Sequence, residues 1–574
     1  MNYNRYKDCS PEYTSEKIQN FLKFLNIEYK ESELNNPVPF IYSVSIECSS
    51  INIKSHGKGT TKEYCLASAY GELLEKLLNG VFKLRYVSPP EKNCVTNIFY
   101  DEMPYVISKD LKLLPQCIKE DLYNSYYESD GVYPSMEELI SVYQNIYGGN
   151  VINAIPFYDV LNDRVINLPY NILDELSHST GMSYGNTLEE AISQAICEIF
   201  ERYASSTIID RLLTPPEISL EYIKSVCPNF CDIIDFICNN GYEISFYDCS
   251  LGIGLPVVGL LIVDKNNSKY KINFGAHISF TIAVERCLTE VLQGFNKIEE
   301  VNFIEFTPNL TDNYKDFLYK RFRHNNGTVP IEFFKGTPSW EFKPWEYKFS
   351  DNKDIVRQLV DISLTISSNV YIRNNTCMGL TAVRVYIPKL SHYKNIFSVG
   401  KNTCISPIEK YNLENFEGVI INKDDLDSYE RIIKNKFDFL EDRVKYSKNV
   451  LLSAIEYDKG NIISSIDYLR SDDNLPIFAK ILLQILVLIE KQYPEDCIHS
   501  ILLKFYNEDD IMFTYNLLSC HSLFEEILKI RKYCEYSKEY YQRIEMNVSE
   551  FISRYIQCMN DNKVQQYNIR ELFR

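Results

Sequence analysis

Histidine and tryptophan are scarce, seven and two residues in 574, and no two histidines take the H-E-x-x-H spacing that sets a pair of imidazoles over a zinc ion on one helix face. Basic residues are also in deficit. The formal net charge of −18 repels a phosphate backbone and removes the usual electrostatic drive for nonspecific nucleic-acid binding. Apolar runs such as Leu255 to Val263 fall far short of the roughly 20 residues needed to span a bilayer. The opening stretch MNYNRYKDCSPEYTSEK lacks the apolar centre of a secretory signal. The seventeen cysteines are scattered without the spacing of a disulfide framework, and an odd number leaves at least one unpaired. Cys227, Cys231 and Cys238 fit neither a C-x-x-C zinc pair nor an iron–sulfur triplet. HGKGTT at 56–61 lacks the G-x-x-x-x-G-K-[ST] spacing of a P-loop, and no dinucleotide fingerprint follows a strand. With no membrane or nucleic-acid partner implied and free thiols expected, the chain reads as a cytoplasmic protein.

What is present is ordinary globular material, 45% hydrophobic and 24% charged, in a chain long enough for two to four compact units. The pattern predicts an α+β fold: a core of mixed sheets and helices, then an all-α tail. Residues 14–30 read as an amphipathic helix and Pro37 to Ile53 as extended. PVVGLLIV (256–263) and AVRVYIP (382–388) read as strands bounded by Gly, Asn and Pro. Three segments follow: 1–395, a linker at 396–425, and a helical domain at 426–574. Within the last, LLSAIEYDKGNIISSIDYL (451–469) resembles one tetratricopeptide repeat, a helix pair of the kind that stacks to form a peptide-binding concave surface. An ordinary helical bundle reads equally well.

The chemistry lies in an internal repetition. Residues 57–78 superimpose on 183–204 without a gap, so that Ser68, Glu72, Glu75 and Lys76 correspond to Gln194, Glu198, Glu201 and Arg202. A third segment, AVERCLTEVLQGF, keeps the polar spacing with Arg286, Glu290 and Gln293. Each has an apolar 3.6-residue pattern, and Thr60 with Glu63, or Thr187 with Glu190, offers a capping box. Positions i, i+4 and i+7 share a helix face, so three largely buried helices each present one polar row. Buried carboxylates brought together repel one another unless a cation joins them. Oxygen donors without His or Cys favour Mg²⁺ over Zn²⁺, and Mg²⁺ is commonly shared with nucleotide phosphates. Arg202 and Arg286 suit those phosphates. His277, just before the third helix, reads as structural.

These segments resemble the YcaO family, over roughly residues 1–395. The resemblance rests on NPVPFIYSVSI (36–46), HGKGTTKEYCLASAYGELLEKL (56–77), STGMSYGNTLEEAISQAICEIFERY (179–203), YDCSLGIGLPV (247–257) and FGAHISFTIAVERCLTEVLQG (274–294). With its helical tail the plan is similar to stand-alone Escherichia-type members. The resemblance implies ATP and Mg²⁺ as cofactors, with Glu72, Glu75, Glu198 and Glu201 as Mg²⁺ ligands. It implies a nucleotide pocket completed by Glu190, Arg202, Arg286, Glu290 and Gln293, with Ser68, Gln194 and Asn186 nearby. Lys7 and Thr14 stand where similar members place phosphate-contacting residues. Three positions depart from the family pattern: Lys76 for Arg, Thr180 for Asn and Tyr184 for a small residue. The ending NIRELFR also lacks the proline-rich terminus of azoline-forming members.

The resemblance implies that a peptide or protein backbone amide is activated by phosphorylation of its oxygen after a nucleophile has attacked the carbonyl, giving an azoline or, with a sulfur donor, a thioamide. A second reading is an ATP-binding accessory factor that assists a methylthiotransferase or another modifying enzyme on a ribosomal protein. A third is a binding module whose helical tail recruits partners while the nucleotide serves structure. Dimerisation is implied by family likeness alone.

Overall fold

A computed structural model describes residues 7–81, 99–130, 133–146, 149–305, 329–391, 446–519 and 554–573, except positions 52, 335, 346, 368, 473 and 474, together with 426, 430, 433, 434, 522–524 and 527. The expected linker at 396–425 lies outside the described residues.

Three antiparallel sheets frame the site. In the first, β3 (Ile41–Cys48) pairs with β1 (Lys30–Glu31), β2 (Asn35–Val38) and β4 (Ile53–Gly59). The six-stranded sheet runs β5 (Met103–Val106), β6 (Val151–Asp159), β14 (Tyr371–Asn374), β15 (Thr381–Tyr386), β8 (Met182–Gly185), with β7 (Arg164–Pro169) also on β6. The five-stranded sheet orders as β13 (Ile304–Glu305), β12 (Lys269–Ala276), β11 (Val257–Asp264), β10 (Glu243–Asp248), β9 (Glu217–Ile218). The strands read at 256–263 and 382–388 are β11 and β15. The helix expected over 14–30 is α1 (Pro11–Phe24), begun by the Ser10 cap and ended at Leu25.

Each polar-row helix lies against a different sheet: α2 (Lys62–Leu78) on β4, α3 (Leu188–Asp210) on β8 and β15, α4 (Phe280–Val291) on β12. Two close approaches require glycine. A Cβ at Gly59 would lie 2.7 Å from the Cys65 nitrogen, and one at Gly185 2.4 Å from that of Ala191, below any contact a real side chain makes. Strand ends and helix starts are therefore packed backbone to backbone. The caps are Thr61, whose hydroxyl accepts from the Tyr64 amide at 3.2 Å, and Thr187, which accepts from the Glu190 amide at 3.2 Å. This corrects the box expected at Thr60 and Glu63: Thr61 is the residue with extended backbone and the helix begins one position later.

The apolar faces fill separate cores. Ile18, Phe21, Leu73 and Leu77 join one, Ile196, Phe200, Phe274 and Val383 a second, and Phe246, Ile262, Val284 and Leu288 a third. After α5 (Asn352–Ile366) and β15, the tail contains α6 (Lys448–Asp458), α7 (Ile462–Arg470), α8 (Ile477–Glu490), α9 (Glu495–Leu502) and α10 (Glu508–Leu518). The segment read as one helix pair is α6 and α7, joined through a buried 2.7 Å Ser453–Ser465 hydrogen bond and a shared core with Val450, Ala454 and Leu469. Residues 554–573 leave this tail. Tyr555, Cys558 and Met559 enter the core of α1 and α2, Ile569 and Leu572 enter that of α3, and Phe573 stacks on Tyr158 with ring centroids 6.3 Å apart.

Candidate active site

On α3 every residue from Ala191 to Phe200 is buried except Gln194 and Glu198, and Glu201 and Arg202 continue the same stripe. The same break in burial marks Ser68, Glu72 and Glu75 on α2 and Arg286 and Glu290 on α4. The three stripes face one cavity of about 530 Å³, lined by Lys7, Thr14, Ser68, Glu72, Glu75, Asn186, Glu190, Gln194, Glu198, Glu201, Arg202, Arg286 and Glu290. Gln293 does not line it. Helix α4 ends at Val291 with Leu292 as its cap, so the i+7 position falls in the following turn and leaves the helical face.

At one end, Lys7 donates to Glu190 at 2.8 Å, joined by the Asp8 amide at 3.2 Å and the Asn186 side chain at 3.2 Å. The Thr14 hydroxyl donates to Asn186 at 2.8 Å. Burial pushes the Glu190 carboxyl up, but Lys7 and these donors more than offset it, so it lies below its ordinary value. The N-terminal segment is thus tied to the start of α3, further secured by a contact between the Thr187 hydroxyl and Asp8.

At the other end the carboxylates gather. Glu75 and Glu201 keep some surface in the cavity yet lie deep in the protein. Burial raises Glu75 well above its ordinary value, and the like charges of Glu198 and Glu72 add to this against the pull of Lys76 and Arg202. Burial pushes Glu201 up to about 7 despite Lys58 and Arg286. Glu72 pairs with Lys76 at 2.6 Å and Glu198 with Arg202 at 2.7 Å. Glu72 also accepts from the His56 amide at 3.2 Å, and Glu198 from that of Gly181 at 3.1 Å. Held this way, the carboxylates surround the cavity without converging on a point, and among the described residues no three His, Cys, Asp or Glu side chains form a ready cation cage. The donor chemistry nevertheless fits a hard divalent cation: oxygen only, with two carboxyls raised chiefly by burial and, for Glu75, further by its acidic neighbours.

The arginines are aimed from behind. Arg286 donates to the Ala276 carbonyl at 2.6 Å and contacts the Gln194 amide oxygen. Arg202 donates to the Thr180 hydroxyl at 2.9 Å, so threonine at that position orients the guanidinium. Lys76, shorter in reach than a guanidinium fork, also donates to the Lys54 carbonyl at 2.7 Å. Sequence reasoning missed Lys58. It sits on β4, contacts Glu290 and lies beside Glu201, Glu72 and Glu198, while burial lowers its ammonium below the ordinary value. The alternating burial of β4 puts His56 and Lys58 on the strand face turned from the core, the signal from which it was readable. His277 is buried and its Nδ1 accepts from the Ser279 amide at 2.9 Å. Cys227 is buried, Cys231 half-buried and Cys238 exposed, all as free thiols.

The sequence model of one family, described as YcaO cyclodehydratase, ATP- and Mg²⁺-binding, matches residues 56–391. The chain belongs to the YcaO family. ATP and Mg²⁺ are that family's cofactors. The matched range omits Lys7 and Thr14. Among similar proteins are an uncharacterised protein of Haemophilus influenzae, 29% identical over 67% of this chain and 65% of its own length, and the ribosomal protein S12 methylthiotransferase accessory factor YcaO of Escherichia coli, 28% identical over 67% and 65%. The chain therefore spans slightly under two thirds of the length of the curated relatives it matches. Among solved structures, YcaO from Methanopyrus kandleri bound with AMPPCP and Mg²⁺ is similar at 17% identity and a TM-score of 0.42, over 67% of this chain and 93% of that one. No helix of the described residues is long and apolar enough to cross a membrane.

Proposed function

We propose that this protein uses ATP and Mg²⁺ to activate a backbone amide of a peptide or protein substrate. The observation that carries the reading is the meeting of Glu72 and Glu75 from one helix with Glu198 and Glu201 from another around a single cavity that also receives Arg202 and Arg286. In this reading the four glutamates hold Mg²⁺ and the two arginines face the phosphates. Lys7, Thr14, Ser68, Asn186, Glu190, Gln194 and Glu290 shape the rest of the nucleotide pocket. Bound ATP would supply the phosphoryl group that makes the amide oxygen a leaving group. The protein's own work is positioning and charge: fixed cations and carboxylates in a shielded cavity stabilise developing charge without reorganising. The product is then an azoline or thioamide, according to the nucleophile.

A second reading is favoured by the similarity to the Escherichia coli methylthiotransferase accessory factor: an accessory factor whose ATP site assists a separate methylthiotransferase-type enzyme. Both readings assign residues 1–395 to the nucleotide unit and the region from 426 to a tetratricopeptide-like domain that recruits a partner in the cytoplasm, with 554–573 returned to the core. Dimer formation belongs to the same proposal. Single-turnover ATP consumption separates the two, since only the first requires it to rise with a peptide substrate.

The site itself is tested by Glu201→Ala. Mg²⁺-dependent ATP binding measured by calorimetry is expected to disappear while the circular dichroism spectrum is retained. Unchanged affinity in that variant would remove the proposed site.

A further inference from the structure

Tyr184 stands on β8 with its ring against α2, where a methyl group added at Gly71 would lie 3.3 Å from its Cδ1. The side chain is 8% exposed and lines the cavity, yet its hydroxyl has no hydrogen-bond partner among the described residues. A buried hydroxyl without a partner is destabilising, and phenylalanine fills the same space without that cost. The hydroxyl therefore calls for an atom that arrives from outside the protein.

The position of the ring indicates which atom. Phosphate-handling groups cluster toward Glu198, Glu201 and Arg202, whereas Tyr184 lies near Glu190 and Cys9, and Glu190 precedes Glu201 on α3 by roughly 16 Å of helical rise. The same cavity is lined by Pro11, Tyr64 and Ala67, apolar and aromatic surfaces suited to a flat base, and Glu190 beside Tyr184 offers a carboxylate suited to sugar hydroxyls. The Lys7 ammonium there is engaged by Glu190.

We propose that the Tyr184 hydroxyl hydrogen-bonds the base or ribose of the bound nucleotide and so helps to select it. The inference rests on the ATP reading above and assigns a specificity-determining contact within that site. The test is calorimetric titration of the full chain and of Tyr184→Phe, with Mg²⁺ present throughout, using ATP and inorganic triphosphate. The ATP Kd is expected to rise about five-fold in the variant, the loss of one hydrogen bond, while the triphosphate Kd stays the same. The ligand-free variant should melt no earlier than the parent, because the ring packing is retained. An ATP Kd within two-fold of the parent's, or an equal loss for triphosphate, overturns the assignment. If the parent chain binds no ATP, the assignment falls together with the reading on which it rests, whereas an unaltered variant beside an ATP-binding parent removes only the Tyr184 contact.

Discussion

Glu201, pushed up from an ordinary 4.5 to about 7, holds a proton in the folded protein over a range where the unfolded chain has already released it. Its contribution to stability is therefore fullest below about pH 4.5 and is lost as pH rises through about 7. Glu201→Gln carries no charge at any pH, so its melting temperature should gain on that of the parent between pH 5 and pH 8. A difference that stays constant across this range would mean that the carboxyl titrates normally. At this scale the sequence was informative about Glu72, Glu75, Glu198 and Glu201, because a polar row on an otherwise apolar helix is visible in one dimension. It was silent on Lys58 as a partner of Glu290, since that contact joins a strand to a helix far along the chain.

Thr61 and Thr187 hold the first turns of the two glutamate-bearing helices. Replacing either with alanine should cost about 1 kcal/mol in urea denaturation, with serine restoring most of it. Thr187→Ala should do more, because its hydroxyl also meets Asp8 and so tethers the segment that presents Lys7. Equal effects of the two substitutions on nucleotide affinity would argue against that tether. Elements were largely legible: α2, α3, α4, β11 and β15 overlie the segments that periodicity and turn residues marked, while α1 runs over 11–24 in place of the expected 14–30. The end of α4 was not. Gln293 continues the apolar and polar spacing of the helix on paper, but the last intrahelical turn closes at Val291, and a spacing argument does not detect where hydrogen bonding stops.

The last described segment fastens the molecule to itself. Gln566 accepts from the Asn374 amide at 2.7 Å and donates to the Asn374 carbonyl at 2.9 Å, serving the β14 backbone as a neighbouring strand would. Lys353 and Arg357 on α5 donate to the carbonyls of Glu571 and Leu572 at 2.9 and 3.3 Å, and Arg570 pairs with Asp163 at 3.0 Å. Gln566→Ala would leave two buried backbone groups of Asn374 without partners, a loss of about 1–3 kcal/mol, to be read from the urea midpoint; an unchanged midpoint would show the clasp to be dispensable. Nothing in NIRELFR announces this return, because the residues that receive it, Tyr158, Asn374 and the α5 face, lie hundreds of positions away.

The helices from Lys448 to Leu518 are flanked in sequence by β15 and Tyr555, which among the described residues are both seated in the main body. A pull on those helices, whether from a bound protein or an applied force, is shared between two anchorages, one in the sheet beneath α3 and one beside the last turn of α2. Both helices carry the glutamates, so the moorings and the acidic cavity are supported by the same pair of rods.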